Sequence, residues 1–178
     1  LRKIEIGTVT KRVISENLAK NIYLAIGSNL GNRKLNIHKA KYLLDQNNVK
    51  IIQISKFYET PSWPNPNNPM FLNIVLQVEC YFKPLDLLKI CKCIELKLGR
   101  KNDLKNSPRV CDIDIIDYNG LILNSELILP HKLMHKRSFV LFPLFEVNNQ
   151  WIHPILRLDI KSLIFSLSNK DIRSIKQI

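Results

Sequence analysis

Two aspartates stand two positions apart in an apolar run in the second half of the chain. The segment reads PRVCDIDIIDYNG over residues 108–120, which places Asp112 and Asp114 among isoleucines with Arg109 just upstream. On a β-strand, side chains at i and i+2 share a face, and their Cα atoms lie roughly 6.5–7 Å apart. Two carboxylates so placed repel each other unless a cation lies between them. A divalent metal ion is the simplest such cation.

Basic side chains flank this aspartate pair on both sides. Arg100, Lys105 and Arg109 precede it in a turn-rich loop, and His131 and Arg137 follow it. Cations around a metal-binding carboxylate pair suit a polyphosphate, whose oxygens arginine binds in a bidentate way. Two Mg²⁺ ions held by carboxylates would assist displacement at phosphorus. The alternative is a solvated strand face and loop in a basic protein, which is the commoner meaning of an arbitrary aspartate pair at this spacing.

Three further features bear on a ligand site. GSNLGNRK over residues 27–34 leads from a strand into a helix but lacks the lysine and hydroxyl residue of a P-loop, so phosphate binding must rest on arginines and metal. Glu95 lies at the edge of an apolar helical stripe, where a solvated or salt-bridged acid is the usual interpretation. Asn73 is an amide among apolar neighbours and needs hydrogen-bond partners, which a heterocyclic ligand offers. Because aromatic side chains are most often found in the core, residue statistics alone predict core positions for Trp63, Phe71 and Phe139.

The composition narrows the class of protein. A length of 178 residues fits one domain, and no apolar run approaches the roughly 20 residues that span a bilayer. The first residues lack the apolar core of a secretory signal. The four cysteines form no C-x-x-C pair, which indicates free thiols in a reducing cytosol. The net charge of +12 indicates an anionic partner: nucleic acid, a membrane surface or a small phosphorylated substrate.

The order of the elements predicts the fold class. Strands are predicted over residues 21–26, 49–58, 71–81 and 110–118, and helices from near Asn32 and over residues 84–98. Asn119-Gly120 indicates a hairpin with a returning strand over residues 121–129. The prolines of residues 60–69 exclude regular structure there, and Trp63 favours an ordered loop. Because hairpins occur beside strand–helix alternation, we predict an α+β fold with a largely antiparallel sheet.

The domain boundary is predicted at residue 20. Residues 1–20 are interpreted as an N-terminal extension or linker, and residues 21–178 as the folded domain. The chain begins with Leu1 instead of Met, which suggests a segment of a longer chain with a module before it.

Four blocks, in order, resemble the 6-hydroxymethyl-7,8-dihydropterin pyrophosphokinase family of folate biosynthesis. They are YLAIGSNLGNR, FYETPSWPNPNNPMFLN, LGR followed by PRVCDIDIIDYNG, and LPHKLMHKRSFVLFPL, within residues 21–158. The resemblance implies a ferredoxin-like α+β core with helices packed on the sheet. It also implies a cytoplasmic enzyme that transfers the pyrophosphoryl group of ATP to the pterin hydroxymethyl group, releases AMP, uses two Mg²⁺ ions, and has no nucleic-acid or membrane partner.

The resemblance also implies roles for individual residues. Metal binding falls to Asp112 and Asp114, and catalysis to these two with Arg100 and Arg109. The implied ATP ligands are Glu95, Arg100, Lys105, Arg109, His131 and Arg137. The implied pterin ligands are Thr60, Pro61, Trp63, Phe71, Asn73 and Phe139, with the pterin ring stacked between the two phenylalanines. Asp112 is the hypothetical acceptor of the hydroxyl proton.

Departures from the family pattern and other functions stay open. The family usually has glycine or alanine where Ser107 stands, often an aromatic residue at Asn106 and often tyrosine at Lys132, which bears on how the basic loop closes over ATP. A nucleic-acid-binding domain would need aromatics interleaved with Lys and Arg on an exposed face, whereas the aromatics here lie mostly in apolar runs. A metal-dependent phosphohydrolase would use the same aspartate pair. Fusion to another folate-pathway enzyme is also considered.

Overall fold

Eight strands and five helices make up the part of the chain that this computed structural model describes, which is residues 14–63, 65–100 and 107–178. The strands are β1 (Ile14–Ser28), β2 (Lys50–Ile54), β3 (Tyr58–Thr60), β4 (Phe71–Phe82), β5 (Asp112–Tyr118), β6 (Leu123–Asn124), β7 (Ile128–Leu129) and β8 (Lys176–Gln177). The helices are α1 (Arg33–Gln46), α2 (Pro84–Lys97), α3 (Ser138–Val147), α4 (Ile160–Phe165) and α5 (Asn169–Ser174), with a 3₁₀ turn at Met134–Lys136 before α3.

Six strands form one antiparallel sheet. Its order is β5-β1-β4-β3-β8, and β2 pairs with β4 next to β3. The alternation of β1 gives the sheet two buried faces, because Ile22, Leu24 and Ile26 join one core and Tyr23 joins another. Helices α1 and α2 cover the first face, and α3 and α4 cover the second. The predicted α+β class with an antiparallel sheet is confirmed.

The sheet begins earlier in the chain than predicted. Strand β1 starts at Ile14, and Ala19 pairs with Cys80 of β4, so residues 14–20 belong to the sheet. A register shift between Ala19 and Ile22 explains why the apolar pattern is readable only from residue 21, since Asn21 has a φ of 56° inside that irregularity. Residues 1–13 of the predicted extension lie outside the described residues.

The predicted strand over residues 49–58 is in fact two strands, β2 and β3. The hydroxyl oxygen of Ser55 accepts a hydrogen bond from the backbone N–H of Val75 at 2.9 Å, and the Ser55 N–H donates to the Val75 carbonyl at 3.0 Å. A side-chain oxygen thus replaces a backbone acceptor in the ladder, which interrupts the strand.

The predicted turn at Asn119-Gly120 is present, but the predicted returning strand is wrong. Both turn residues have positive φ, 51° and 71°, as a type I′ turn requires. The following residues form the separate pair β6–β7 instead of a strand beside β5. Leu127 and Leu129 account for this difference, because both are buried in the core with α1 and α2.

The remaining elements agree with the sequence patterns. Helix α1 buries Ile37, Ala40 and Leu44 and begins after Asn32, whose side chain accepts from the Leu35 N–H. Within the described ranges, none of the helices combines the length and apolar character of a membrane span.

Candidate active site

A cavity of about 540 Å³ opens where β1, β4 and β5 meet the loops beside them. At its floor, Gly27 of β1 pairs with Asn73 of β4 on one side and with Asp112 of β5 on the other. The cavity therefore has two walls. One is formed by β5 and the basic residues around it, and the other by the described residues of the segment 60–71, of which Thr60, Pro61, Trp63 and Phe71 line the cavity, with Asn73 and Phe139 beside them. We call these the acidic wall and the proline loop.

Most of the predicted site residues that the structure describes line this cavity. On the side of the acidic wall these are Arg100, Arg109, Asp112, Asp114, His131 and Arg137. On the side of the proline loop they are Thr60, Pro61, Trp63, Phe71, Asn73 and Phe139. Glu95 lies behind the cavity, and Lys105 lies outside the described residues, as does Asn106. The departures Ser107 and Lys132 differ in place, since only the former lines the cavity.

Strand period alone places the two aspartates in the cavity. Ile113 and Ile115 point into the core with α1 and α2, so Asp112 and Asp114 point to the opposite face. Nη1 of Arg100 lies 2.6 Å from Oδ1 of Asp112, and Nη1 of Arg109 lies 3.1 Å from its Oδ2. Both carboxylate oxygens of Asp112 are thus hydrogen-bonded to guanidinium groups.

Asp114 has looser cationic neighbours. Its Oδ2 lies 3.7 Å from Nη1 of Arg137 and 4.0 Å from Nε2 of His131. Burial lowers the pKa of His131, against the raising effect of the Asp114 carboxylate. Burial likewise lowers the pKa of Arg137, with both aspartates opposing it. Asp114 is therefore the aspartate with more room for a cation in place of a protein side chain.

Glu95 connects helix α2 to the acidic wall through hydrogen bonds on the side away from the cavity. It is 1% exposed, so the interpretation as a solvated acid is wrong, whereas salt bridging is confirmed. Its Oε1 accepts from the backbone N–H of Ile113 at 2.7 Å and from Nζ of Lys92 at 2.9 Å, and its Oε2 accepts from Arg100. Burial raises the pKa of Glu95. Burial works against the charge of Arg100, but the carboxylates of Asp112 and Glu95 outweigh it and raise the Arg100 pKa.

Arg137 lies between two aromatic rings at the mouth of the proline loop. Its guanidinium carbon is 5.6 Å from the centre of the Trp63 ring and 5.5 Å from that of Phe139, within cation–π range. Its Nε is buried without a hydrogen-bond partner. Trp63 is 56% exposed, so the core interpretation is wrong for this residue. Phe71 and Phe139 are half-buried and both line the cavity.

Asn73 is held in place by its neighbours. Its Nδ2 donates to Oγ1 of Thr60 at 3.1 Å and to the carbonyl of Tyr58 at 3.4 Å. A Cβ at Gly27 would lie 3.0 Å from Oδ1 of Asn73 and 3.2 Å from Cδ1 of Phe71. The absence of a side chain at Gly27 therefore lets the amide and the ring approach the floor of the cavity.

The donor set on the acidic wall fits Mg²⁺. Within the described ranges no three His, Cys, Asp or Glu side chains come together as a complete metal cage. Two partly exposed carboxylates on one strand face suit a cation that keeps water ligands and takes oxygens from a substrate phosphate. Asp112 and Asp114 are the residues that would hold it.

Comparisons with known proteins assign this architecture. The sequence profile of 7,8-dihydro-6-hydroxymethylpterin-pyrophosphokinase (HPPK) matches residues 23–149. The chain belongs to the HPPK family. Its matched range contains both walls of the cavity, and the ferredoxin-like α+β fold expected from the resemblance is confirmed.

Individual relatives extend this HPPK match. The chain is 38% identical over 141 residues to the 2-amino-4-hydroxy-6-hydroxymethyldihydropteridine pyrophosphokinase of Aquifex aeolicus, covering 79% of this chain and 88% of that protein. It is 40% identical over 158 residues to the folic acid synthesis protein FOL1 of Dictyostelium discoideum, covering 87% of this chain but 24% of that protein. The chain thus spans about a quarter of the length of that relative. A crystal structure of Plasmodium falciparum HPPK-DHPS with pteroate superposes with a TM-score of 0.67 at 17% identity, covering 84% of this chain and 43% of that one.

Two residues of this HPPK site were not identified from the sequence. Lys92 lines the cavity and pairs with Glu95, three residues further along α2. Asn29 is buried at the end of β1 and hydrogen-bonds to both walls. A polar residue directly after a buried strand was the available signal for Asn29, and the i,i+3 spacing from Glu95 was the signal for Lys92.

Proposed function

We propose that the chain transfers the pyrophosphoryl group of ATP to the hydroxyl of 6-hydroxymethyl-7,8-dihydropterin, with release of AMP. One observation carries this proposal: Asp112 and Asp114 face a single cavity from one strand, opposite an aromatic- and amide-lined loop. An acidic wall surrounded by arginines suits a metal-bound triphosphate, and the proline loop suits a flat heterocycle.

The acidic wall would bind ATP with two Mg²⁺ ions. Asp112 and Asp114 would hold these ions, which would supply neutralisation of the negative charge on the phosphate oxygens. The triphosphate oxygens would be bound by the basic side chains of the acidic wall, Arg100, Arg109, Arg137 and His131. These side chains now contact Asp112 or Asp114, the two carboxylates beside which the triphosphate would lie. The guanidinium groups are thus already positioned where negative charge will accumulate.

The proline loop would bind the pterin. Phe71 and Phe139 offer ring faces for stacking, and Asn73 with Thr60 offers hydrogen-bonding groups at the edge of the heterocycle. The pterin hydroxyl would attack the β-phosphorus in line, the bond to the bridging α-phosphate oxygen would break, and AMP would depart. Holding both reactants in one cavity supplies the orientation that this displacement needs.

Asp112 is proposed to accept the hydroxyl proton. Both of its oxygens now bond to guanidinium groups, so one of these bonds must open during the reaction. Near-normal turnover of Asp112→Asn would exclude this role.

The test of the reaction is product identification. The protein is incubated with Mg²⁺ and ATP, with and without the pterin, and the nucleotide product is separated by chromatography. AMP formed only with the pterin, and reduced at least about 10²-fold in Asp112→Ala and Asp114→Ala, supports the proposal. ADP, or no pterin-dependent product from folded protein, contradicts it.

The cytoplasm is the proposed location, because the free thiols Cys80, Cys91, Cys93 and Cys111 suit a reducing compartment. Fusion to another folate enzyme is also a proposal, supported by the greater length of relatives such as FOL1 and HPPK-DHPS.

A further inference from the structure

The outer edges of the six-stranded sheet are closed in several places by other parts of the chain. At β5, Glu95 accepts from the Ile113 N–H, and the His131 N–H donates to the Ile116 carbonyl. At β3, the edge pairs with β8. Strand β2 differs, because within the described ranges it pairs with β4 alone. An unpaired strand edge presents N–H and C=O groups to which another strand can bond.

The backbone groups of Ile52 and Ile54 are the ones available on this open edge. The Ser55 N–H donates to the Val75 carbonyl of β4 at 3.0 Å, so the backbone of Ser55 faces β4. The direction of these groups alternates along an antiparallel strand, so Gln53 also faces β4 and Ile54 faces away. The register shift between Ile51 and Gln53 leaves Ile52 without a partner residue on β4.

The side chains of this edge favour contact with another apolar strand. Ile52 and Ile54 are 44% and 47% exposed. The one charged side chain of β2 is Lys50, whose Nζ lies 2.9 Å from Oε1 of Glu79. The edge is therefore apolar and locally neutral, whereas the net charge of +12 opposes contact between two copies of the chain over the rest of the surface.

A second β2 strand, running antiparallel, satisfies this edge. A two-fold axis through Gln53 places Ile52 of each copy opposite Ile54 of the other, so the available backbone groups meet. The isoleucines then form cross-strand pairs of β-branched side chains, and the two Gln53 side chains lie side by side at the axis. Lys50 lies outside the paired residues 52–54.

We propose that β2 is a self-association surface, at which a second copy of this chain continues the sheet across a two-fold axis. The pairing of residues 52–54 makes a small interface, so the dimer is transient and depends on protein concentration. The described lining of the cavity contains no residue of β2, so both cavities stay accessible and the association is independent of the proposed reaction.

A charge at Gln53 is the informative change. Gln53→Lys places two ammonium groups at the axis and Gln53→Glu places two carboxylates there, whereas an equal mixture of the two variants can place one of each. Gln53 is exposed, so both variants should fold as the wild type does, which circular dichroism checks. Gln150→Lys and Gln150→Glu are the matched controls, because Gln150 is also exposed and lies between α3 and α4.

The measurement is sedimentation equilibrium of the full chain from about 1 μM to about 1 mM, the range of weak protein–protein contacts. We expect the wild type and both Gln150 variants to dimerise alike. Each Gln53 variant should raise the dissociation constant at least about tenfold, and the mixture should return to within about threefold of the wild type. A wild type that stays monomeric overturns the inference. A dimer that the Gln53 variants leave unchanged, or a mixture without recovery, overturns it as well.

Hydrogen exchange followed by NMR locates the contact within the strand. The N–H groups of Ile52 and Ile54 should exchange more slowly as the protein concentration rises. The Gln53 N–H faces β4 and should exchange at one rate throughout, so it is the internal control. In Gln53→Lys the dependence on concentration should be reduced. Protection that rises with concentration but spares Ile52 and Ile54 would place the dimer contact on another surface and overturn the inference.

Discussion

Glu95 and Asp112 share one nitrogen of Arg100. Glu95 projects from α2 and Asp112 from β5, and both accept from Nη1 of the same guanidinium. The second oxygen of Glu95 accepts from the backbone N–H of Ile113, on the edge of the sheet that β1 does not cover. A carboxylate thus closes the edge of the strand that carries the aspartate pair.

Substitutions of Glu95 should distinguish the contribution of its hydrogen bond with the Ile113 N–H from that of its negative charge beside Arg100. Glu95→Ala leaves the buried Ile113 N–H without its acceptor and should lower the free energy of unfolding by about 1–3 kcal/mol. Glu95→Gln can still accept that bond and should cost less. Both should raise the KM for ATP, because Arg100 loses a carboxylate that orients it. Urea unfolding and steady-state kinetics measure the two effects.

The ion pair Lys50–Glu79, in which Lys50 is exposed and Glu79 is half-buried, supplies the control for this prediction. Glu79→Ala should change stability by less than about 1 kcal/mol and leave the KM for ATP unchanged. Equal destabilisation by Glu95→Ala and Glu95→Gln would show that the Ile113 bond is not the stabilising contact.

Gly27→Ala should damage pterin binding more than folding. The added Cβ would lie 3.0 Å from Oδ1 of Asn73, tighter than ordinary contact, so the amide must move. We expect the KM for the pterin to rise about tenfold or more, with a smaller change for ATP. Gly31→Ala is the control: its φ of 62° strains an alanine, but nothing lies within 4 Å of the added Cβ. That variant should lose about 1 kcal/mol of stability and keep its pterin affinity.

The period of the strands made part of this site predictable. Asp112 and Asp114 had to share a face once β5 was recognised, and Ile113 and Ile115, which alternate with them, had to be buried. The proline loop was likewise predictable as irregular, and residues 61–63 and 65–70 lie outside helices and strands. Its individual contacts depend on chain packing and were not readable from local sequence.

The missed features come from contacts between distant parts of the chain. Glu95 is buried because Ile113, eighteen residues later, presents an N–H to it. Asn29 matters because residues 33 and 80 positions further along bond to the same amide. Residues 121–129 have strand-like alternation, but that pattern cannot distinguish pairing with β5 from burial of Leu127 and Leu129. The local periodicity of a strand shows which of its side chains share a face, but it does not show which other segment of the chain that strand pairs with.

Nucleotide binding should change the fluorescence of Trp63. Arg137 now lies over the Trp63 ring, and a triphosphate should draw this guanidinium toward its oxygens. Adding α,β-methylene-ATP and Mg²⁺ should shift or quench the emission, with Trp151 as a buried background. Arg137→Lys should lose most of this response and weaken nucleotide binding about tenfold, because an ammonium lacks the planar fork. Arg173→Lys, on helix α5 and not among the residues that line the cavity, should respond as the wild type. An unchanged response in Arg137→Lys would refute the contact.

His153 should make stability depend on pH away from the cavity. Its Nδ1 accepts from the backbone N–H groups of Ile155 and Leu156, each at 3.2 Å, and its ring lies near those of Trp151 and His135. Burial, reinforced by the charge of His135, lowers the pKa of His153 below its usual 6.5. Between the folded-state pKa and 6.5, the unfolded chain therefore binds more protons than the folded one, so stability falls as the pH falls through that window.

His153→Asn tests this proton uptake, because the asparagine oxygen can replace Nδ1 as the acceptor. One whole proton taken up on unfolding contributes a slope of about 1.4 kcal/mol per pH unit, and the variant should lose the part of the slope due to His153. Urea unfolding at intervals from pH 7.5 to 5 measures it. His135→Asn should reduce the slope of stability against pH by less, since His135 is less buried than His153. Part of the lowering of the His135 pKa comes from Lys136, which is next to it in the unfolded chain as well. If wild type and His153→Asn have the same slope, the protons enter elsewhere, and the hydrogen bonds at Nδ1 do not keep His153 neutral.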